Sequence, residues 1–137
     1  MKTLFLDFDG VLHANLSPED GYFGRASELV VAIGSFPLDI VISSSWRFHY
    51  TVAEISRKLP QEIREQVVGR TGEAVIGRHA RWKEIHAYCT RHGIEDWRAL
   101  DDAWFEFPPD CPELLLCDGA TGLGPAALIC LRQWLVD

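Results

Sequence analysis

The sequence predicts an α/β domain with a central five-stranded, mostly parallel sheet covered by helices. Three observations predict it. Short apolar runs alternate with amphipathic segments along the chain, the signature of strand–helix–strand units. Leu4-Phe5-Leu6 and Ile40-Val41-Ile42 are continuously apolar, as strands buried on both faces require. Three of them end in an acid or a serine: Leu4-Phe5-Leu6 before Asp7, Asp39-Ile40-Val41-Ile42-Ser43, and Trp97-Arg98-Ala99-Leu100-Asp101. Ligands of open parallel sheets bind beyond the carboxyl ends of the strands, so Asp7, Ser43 and Asp101 converge where chemistry is expected.

Each element follows in order. Leu4–Leu6 is the first buried strand, and residues 10–24, rich in Gly, Pro, Asn and Asp, are a loop. Residues 25–35 place Leu29, Val30 and Ile33 at helical spacing, with Gly34 as the stop. Asp39–Ser43 is the second strand. Thr51 and Glu54 form a capping-box pattern, after which Val52, Ile55 and Leu59 share one helical face. Val67-Val68-Gly69 is a weak third strand. Residues 80–92 form a helix with Trp82, Ile85 and Cys89 inward. Trp97–Asp101 and Glu113–Cys117 are the fourth and fifth strands. Gly124-Pro125 opens a last helix with Leu128, Leu131 and Leu135 inside, proline being favoured in a first turn. The sum is a Rossmann-like three-layer sandwich.

A length of 137 residues fits a single domain, 1–137, with no repeat or linker to divide it. Net charge is −7, which argues against nonspecific nucleic-acid binding, since that affinity comes from neutralising phosphates. An anionic substrate would then need a bound cation nearby. Cys89, Cys111, Cys117 and Cys130 contain no Cys-x-x-Cys pair and read as reduced, mostly buried thiols. Met1 to Asp7 meets an acid too early for a secretory signal, and no apolar stretch reaches membrane-spanning length. A cytoplasmic protein without a membrane partner is expected.

Asp7 and Asp9 stand two residues apart where the chain leaves a buried strand, and Gly10 permits a turn after them. A bend there brings both carboxylates toward one point. One can attack phosphorus and form an aspartyl-phosphate. The other can protonate the leaving oxygen and later activate water. Two close acids also attract a hard cation.

Asp7-Phe8-Asp9-Gly10-Val11-Leu12 closely resembles the first motif of the haloacid dehalogenase-like (HAD) superfamily. The resemblance implies that Asp7 is the nucleophile and Asp9 the acid/base, and that the chemistry is phosphoryl transfer. Ile40-Val41-Ile42-Ser43-Ser44-Ser45-Trp46 is similar to the second motif, an apolar strand ending in a phosphate-binding hydroxyl. Ser44, helped by the Ser45 backbone amide, is the expected phosphate binder, with Ser43 the alternative. The third motif is a cation at a helix start. Arg81 is favoured by its place in Arg81-Trp82-Lys83-Glu84-Ile85, with Lys83 and Arg78 as alternatives. Ala99-Leu100-Asp101-Asp102 is similar to the fourth motif, which implies that Asp101 binds metal and Asp102 holds a metal-bound water. The implied metal set is Asp7, the Asp9 backbone carbonyl and Asp101, and such oxygen ligands suit Mg²⁺.

The gaps between motifs are too short for a full cap domain. The resemblance is to a capless subgroup, like the stand-alone relatives of HAD domains in RNA-repair proteins. It implies a magnesium-dependent phosphomonoester hydrolase that acts on a phosphorylated substrate of unknown class, large or a nucleic-acid end, or closes its site by forming a homo-oligomer. A noncatalytic binding or regulatory module of the same fold is the alternative. A phospho-receiver is disfavoured because the fifth strand ends Leu116-Cys117-Asp118, without lysine. His13 could touch substrate. Trp46, Arg47 and His49 could line its rim. His79, His86 and His92 read as solvated or capping, and Thr121-Gly122-Leu123-Gly124 as a turn into the last helix.

Overall fold

The computed structural model describes residues 1–15 and 22–137. Residues 16–21, part of the predicted loop, lie outside the described residues. The strands are β1 (Thr3–Leu6), β2 (Asp39–Ile42), β3 (Val67–Arg70), β4 (Trp97–Asp101) and β5 (Leu114–Leu116). The helices are α1 (Ala26–Ile33), α2 (Val52–Lys58), α3 (Gln61–Arg64), α4 (Ala80–His92) and α5 (Pro125–Val136). Two 3-10 turns occupy Ser45–Phe48 and Trp104–Glu106.

The sheet order is β3-β2-β1-β4-β5, and every pair is parallel. The chain runs from β1 outward through β2 and β3, then crosses to β4 and β5. The topological switch therefore lies between β1 and β4, where open sheets place their crevice. Alternating residues of β1 feed two cores. Leu4 and Leu6 join Leu29, Ile55, Ile63 and Leu131, so α1, α2, α3 and α5 cover one face. Phe5 joins Val41, Ala99, Ile85 and Cys89, so α4 covers the other.

Local chemistry explains the boundaries. Thr51 and Glu54 form the reciprocal capping box at the start of α2. Gly93, at φ +64°, ends α4 in the left-handed conformation that glycine adopts freely. Pro125 occupies the first turn of α5. The weak third strand is real, with a register irregularity opposite Ile40/Val41. A side chain at Gly69 would meet the Tyr88 hydroxyl at 2.7 Å, so glycine lets α4 pack there.

Some details differ from expectation. The sheet is wholly parallel. The inner face of α5 includes Ala127 and Trp134 beside Leu131 and Leu135, while Leu128 is half-buried. All four cysteines are free thiols, but only Cys89 and Cys117 are buried; Cys130 is exposed. Burial pushes the Cys117 thiol up to about 12. No helix among the described residues is long and apolar enough to cross a membrane.

Candidate active site

Register builds the centre of the site. Leu6 pairs with Ile42 and with Leu100, and Ile42 pairs with Arg70. One residue further, Asp101, Asp7, Ser43 and Thr71 form a row across four adjacent strands. Main-chain bonds hold that row: Asp7 N–H to Leu100 O at 3.1 Å, Ser43 N–H to Leu6 O at 3.0 Å, and Thr71 N–H to Ile42 O at 2.9 Å. All four side chains are buried. The hydroxyls of Ser43 and Thr71 have no hydrogen-bond partner among the described residues.

Asp7, Asp101 and Asp102 offer oxygens that all lie within 4.8 Å of one another. Arg81, near the start of α4, reaches into this cluster. Its Nη1 lies 2.6 Å from Asp101 Oδ2 and 3.5 Å from Asp7 Oδ1. Burial, then the charge of Asp101, pushes Asp7 well above the usual carboxylate range, with Arg81 opposing. Asp101 is raised too, by burial, against the pull of Arg81 and of the Ala103 N–H. Burial works against the Arg81 charge, yet Asp101, Asp7 and Glu84 outweigh it and hold the guanidinium protonated. Two buried acids thus share Arg81, and Asp102 adds a third carboxylate beside them. That charge shortfall, with an all-oxygen donor set, fits a hard divalent cation.

Asp9 faces elsewhere. Its Oδ1 lies 2.8 Å from His13 Nε2, and its Oδ2 accepts the Trp46 indole N–H at 3.1 Å. A tight turn makes this possible: the Gly10 N–H donates to His13 O at 2.8 Å, with Gly10 at φ +79°. An open cleft of about 1610 Å³ starts at Asp9 and Asp102 and runs past Asn15 and Trp104 to the Gly119–Gly122 loop. Asn15 Nδ2 donates to Asp102 Oδ2 at 2.7 Å. A Cβ at Gly10 or Gly119 would collide with the Asp102 carboxylate, so these two glycines make room for it.

Beneath the site, Arg47 and Glu84 pair at 2.9 Å, both buried. Arg47 also donates to the carbonyls of Gly72 and Ser44 at 3.0 Å. Glu84 Oε2 accepts the Val75 N–H at 3.0 Å.

The structure therefore brings Asp7, Asp101, Asp102 and Arg81 together, with the Asp9 carboxylate turned toward His13 and Trp46. Lys83 and Arg78 are exposed. Ser44 is buried, and its hydroxyl accepts the Trp46 backbone N–H at 3.2 Å, capping the 3-10 turn that exposed Ser45 begins. Arg47 lies under the site rather than on its rim, Trp46 is half-buried against Asp9, and His49 is exposed. His13 meets Asp9. His79 sits at the N-cap of α4 without a side-chain cap bond, and His86 and His92 are exposed. Thr121 and Gly122 form a turn, both donating to Asp118 O. Sequence reasoning missed Glu84, Asn15 and the glycines around Asp102. The i, i+4 spacing of Asp9 and His13 across a glycine was the signal available for their contact.

A parallel sheet with a cluster of acids beside its topological switch defines a Rossmann-like α/β protein. The chain belongs to the family described as the HAD domain in Swiss Army Knife RNA repair proteins, whose model matches residues 3–128. That places it in the HAD hydrolase superfamily and agrees with a capless fold. No curated protein and no solved structure matches the chain.

Proposed function

We propose that the protein is a magnesium-dependent phosphomonoester hydrolase working through an aspartyl-phosphate. The observation that carries this reading is the cluster of Asp7, Asp101 and Asp102 at the switch point, with Arg81 against it. Asp7 attacks phosphorus, the bond from phosphorus to the leaving oxygen breaks, and Asp9 gives that oxygen a proton. Water, deprotonated by Asp9, then releases phosphate and restores Asp7. Mg²⁺ held by Asp7 and Asp101, with Asp102 and the Asp9 carbonyl beside it, would offset the charge of the phosphate and the nucleophile. Arg81 steadies the nucleophile, and Ser44 with the Ser45 amide, or Ser43 with its unengaged hydroxyl, takes phosphate oxygens.

The substrate we propose is large, a phosphorylated nucleic-acid end first among candidates. The cleft is open, Trp104 beside it is 66% exposed, and bases stack on such rings. The family's description points the same way. The acidic net charge makes recognition of an end, rather than tight general binding, the expected mode.

The test is turnover of p-nitrophenyl phosphate with Mg²⁺, followed by phosphorylated sugars, nucleotides, phosphopeptides and nucleic-acid 3′ and 5′ ends. Asp7→Asn is expected to lower kcat by at least about 1,000-fold. Equal rates in that variant overturn the mechanism. Metal and phosphate binding without turnover on the whole panel would mark a noncatalytic module.

A further inference from the structure

His13 is only 3% exposed, yet its ring is committed at both nitrogens. Nδ1 accepts the Phe23 backbone N–H at 3.2 Å. A nitrogen that accepts a hydrogen bond carries no proton, so the N–H of the neutral ring is on Nε2 and is donated to Asp9 Oδ1. Phe23 presents its N–H from a left-handed conformation, φ +64°, which a bulky residue adopts only where its surroundings impose it. Its ring then packs at 5.5 Å on His13 and 5.2 Å on Trp46. The Trp46 indole supplies the second donor, to the other Asp9 oxygen.

Asp9 is therefore gripped by two N–H groups, each on a different oxygen. Its side chain is nevertheless 44% exposed and borders the cleft. Each carboxylate oxygen has two lone pairs, so one per oxygen remains for a mobile proton. We infer that His13, with Trp46, is a positioning residue that fixes the Asp9 carboxylate so that its unengaged lone pairs face the leaving-group oxygen. This rests on the reading of Asp9 as the acid/base. In the first step Asp7 Oδ forms the bond to phosphorus, the leaving oxygen takes the electron pair of the broken bond, and the Asp9 proton moves onto that oxygen. His13 neither gains nor loses a proton.

Misplaced acid catalysis matters little for a leaving group stable as an anion and much for an alkoxide. The experiment measures kcat/KM with Mg²⁺ for p-nitrophenyl, phenyl and glycerol phosphates in the native chain, His13→Ala, His13→Gln and Trp46→Phe. His13→Ala is expected to lose about 10- to 100-fold on glycerol phosphate and about threefold or less on p-nitrophenyl phosphate. His13→Gln, whose amide N–H replaces Nε2–H, should recover most of the loss. Trp46→Phe, which keeps a ring but not the donor, should show a smaller loss with the same leaving-group dependence. A uniform loss across the series, or no loss, overturns the inference. Failure of the native chain on every ester overturns the hydrolase reading instead. A second measurement needs no turnover: ¹H–¹⁵N correlation of the imidazole should show the Nε2–H tautomer for His13, and an Nδ1–H tautomer overturns the inference.

Discussion

Glu84, in the segment that carries the third motif but given no role there, has its two carboxylate oxygens committed in different directions. Oε1 pairs with Arg47 at 2.9 Å, and Oε2 accepts the Val75 N–H at 3.0 Å. Arg81 Nε stands 3.8 Å from it, one turn earlier on α4. Glu84 thus joins the arginine under the serine loop to the arginine over the nucleophile. Burial lowers the proton affinity of Arg47, and the charge of Glu84 is the main influence opposing that. Glu84→Ala leaves a buried guanidinium without its counter-charge, so a loss of about 3–5 kcal/mol is expected in urea denaturation. A change within about 0.5 kcal/mol would show the pair to be dispensable. At this scale the sequence was legible where a residue terminates an apolar run: Asp7, Ser43 and Asp101 could be placed from the chain alone. Glu84, Arg47 and Asn15 could not, because their partners lie up to 87 positions away and nothing local distinguishes them from solvated charges and amides.

The elements were legible in proportion to their length and periodicity. α4 was read to its limits, because thirteen residues hold one helical pattern and Gly93 closes it. β3 gave only a weak signal, since Val68 is exposed and Gly69 has no side chain to pack. α3 and the two 3-10 turns passed unseen, being too short for any periodicity to register. One of those turns matters to the site, since Ser45–Phe48 swings Trp46 onto Asp9. The loop after β5 matters as well. Gly119 abuts Asp102 and Asn15, and a methyl group there would displace both side chains while leaving the backbone room to stay. Gly119→Ala is expected to fold with less than about 1 kcal/mol lost. Its magnesium affinity should fall about tenfold, because Asp102 would be re-aimed. Isothermal titration checks this, and unchanged affinity would remove Asp102 from the proposed metal site.

For the whole molecule, the cost of the site is electrostatic. Asp7 and Asp101 are both raised by burial, so without metal the folded chain holds these protons more tightly than the unfolded chain. The sign follows: their penalty is absent below the ordinary carboxylate range and grows as pH rises through the raised values. In a chelator, the Tm should therefore fall as pH rises from about 4 toward neutrality. Added Mg²⁺ should raise the Tm, and by more at higher pH, where both acids are ionised and free to bind. Parallel Tm curves with and without Mg²⁺ would contradict this. Asp101→Asn should flatten the metal-free slope. The row Asp101–Asp7–Ser43–Thr71 has one more consequence. Its spacing is that of neighbouring strands, about 4.8 Å, set by amides and carbonyls common to every sequence. The sheet acts as a ruler, and side chains merely occupy its marks. Within one strand the marks have parity, so a single residue gained or lost in β2 would turn Ser43 to the opposite face with its chemistry intact and its address wrong. Substitution can retune this site one position at a time, whereas insertion inside a strand removes a whole column of it at once.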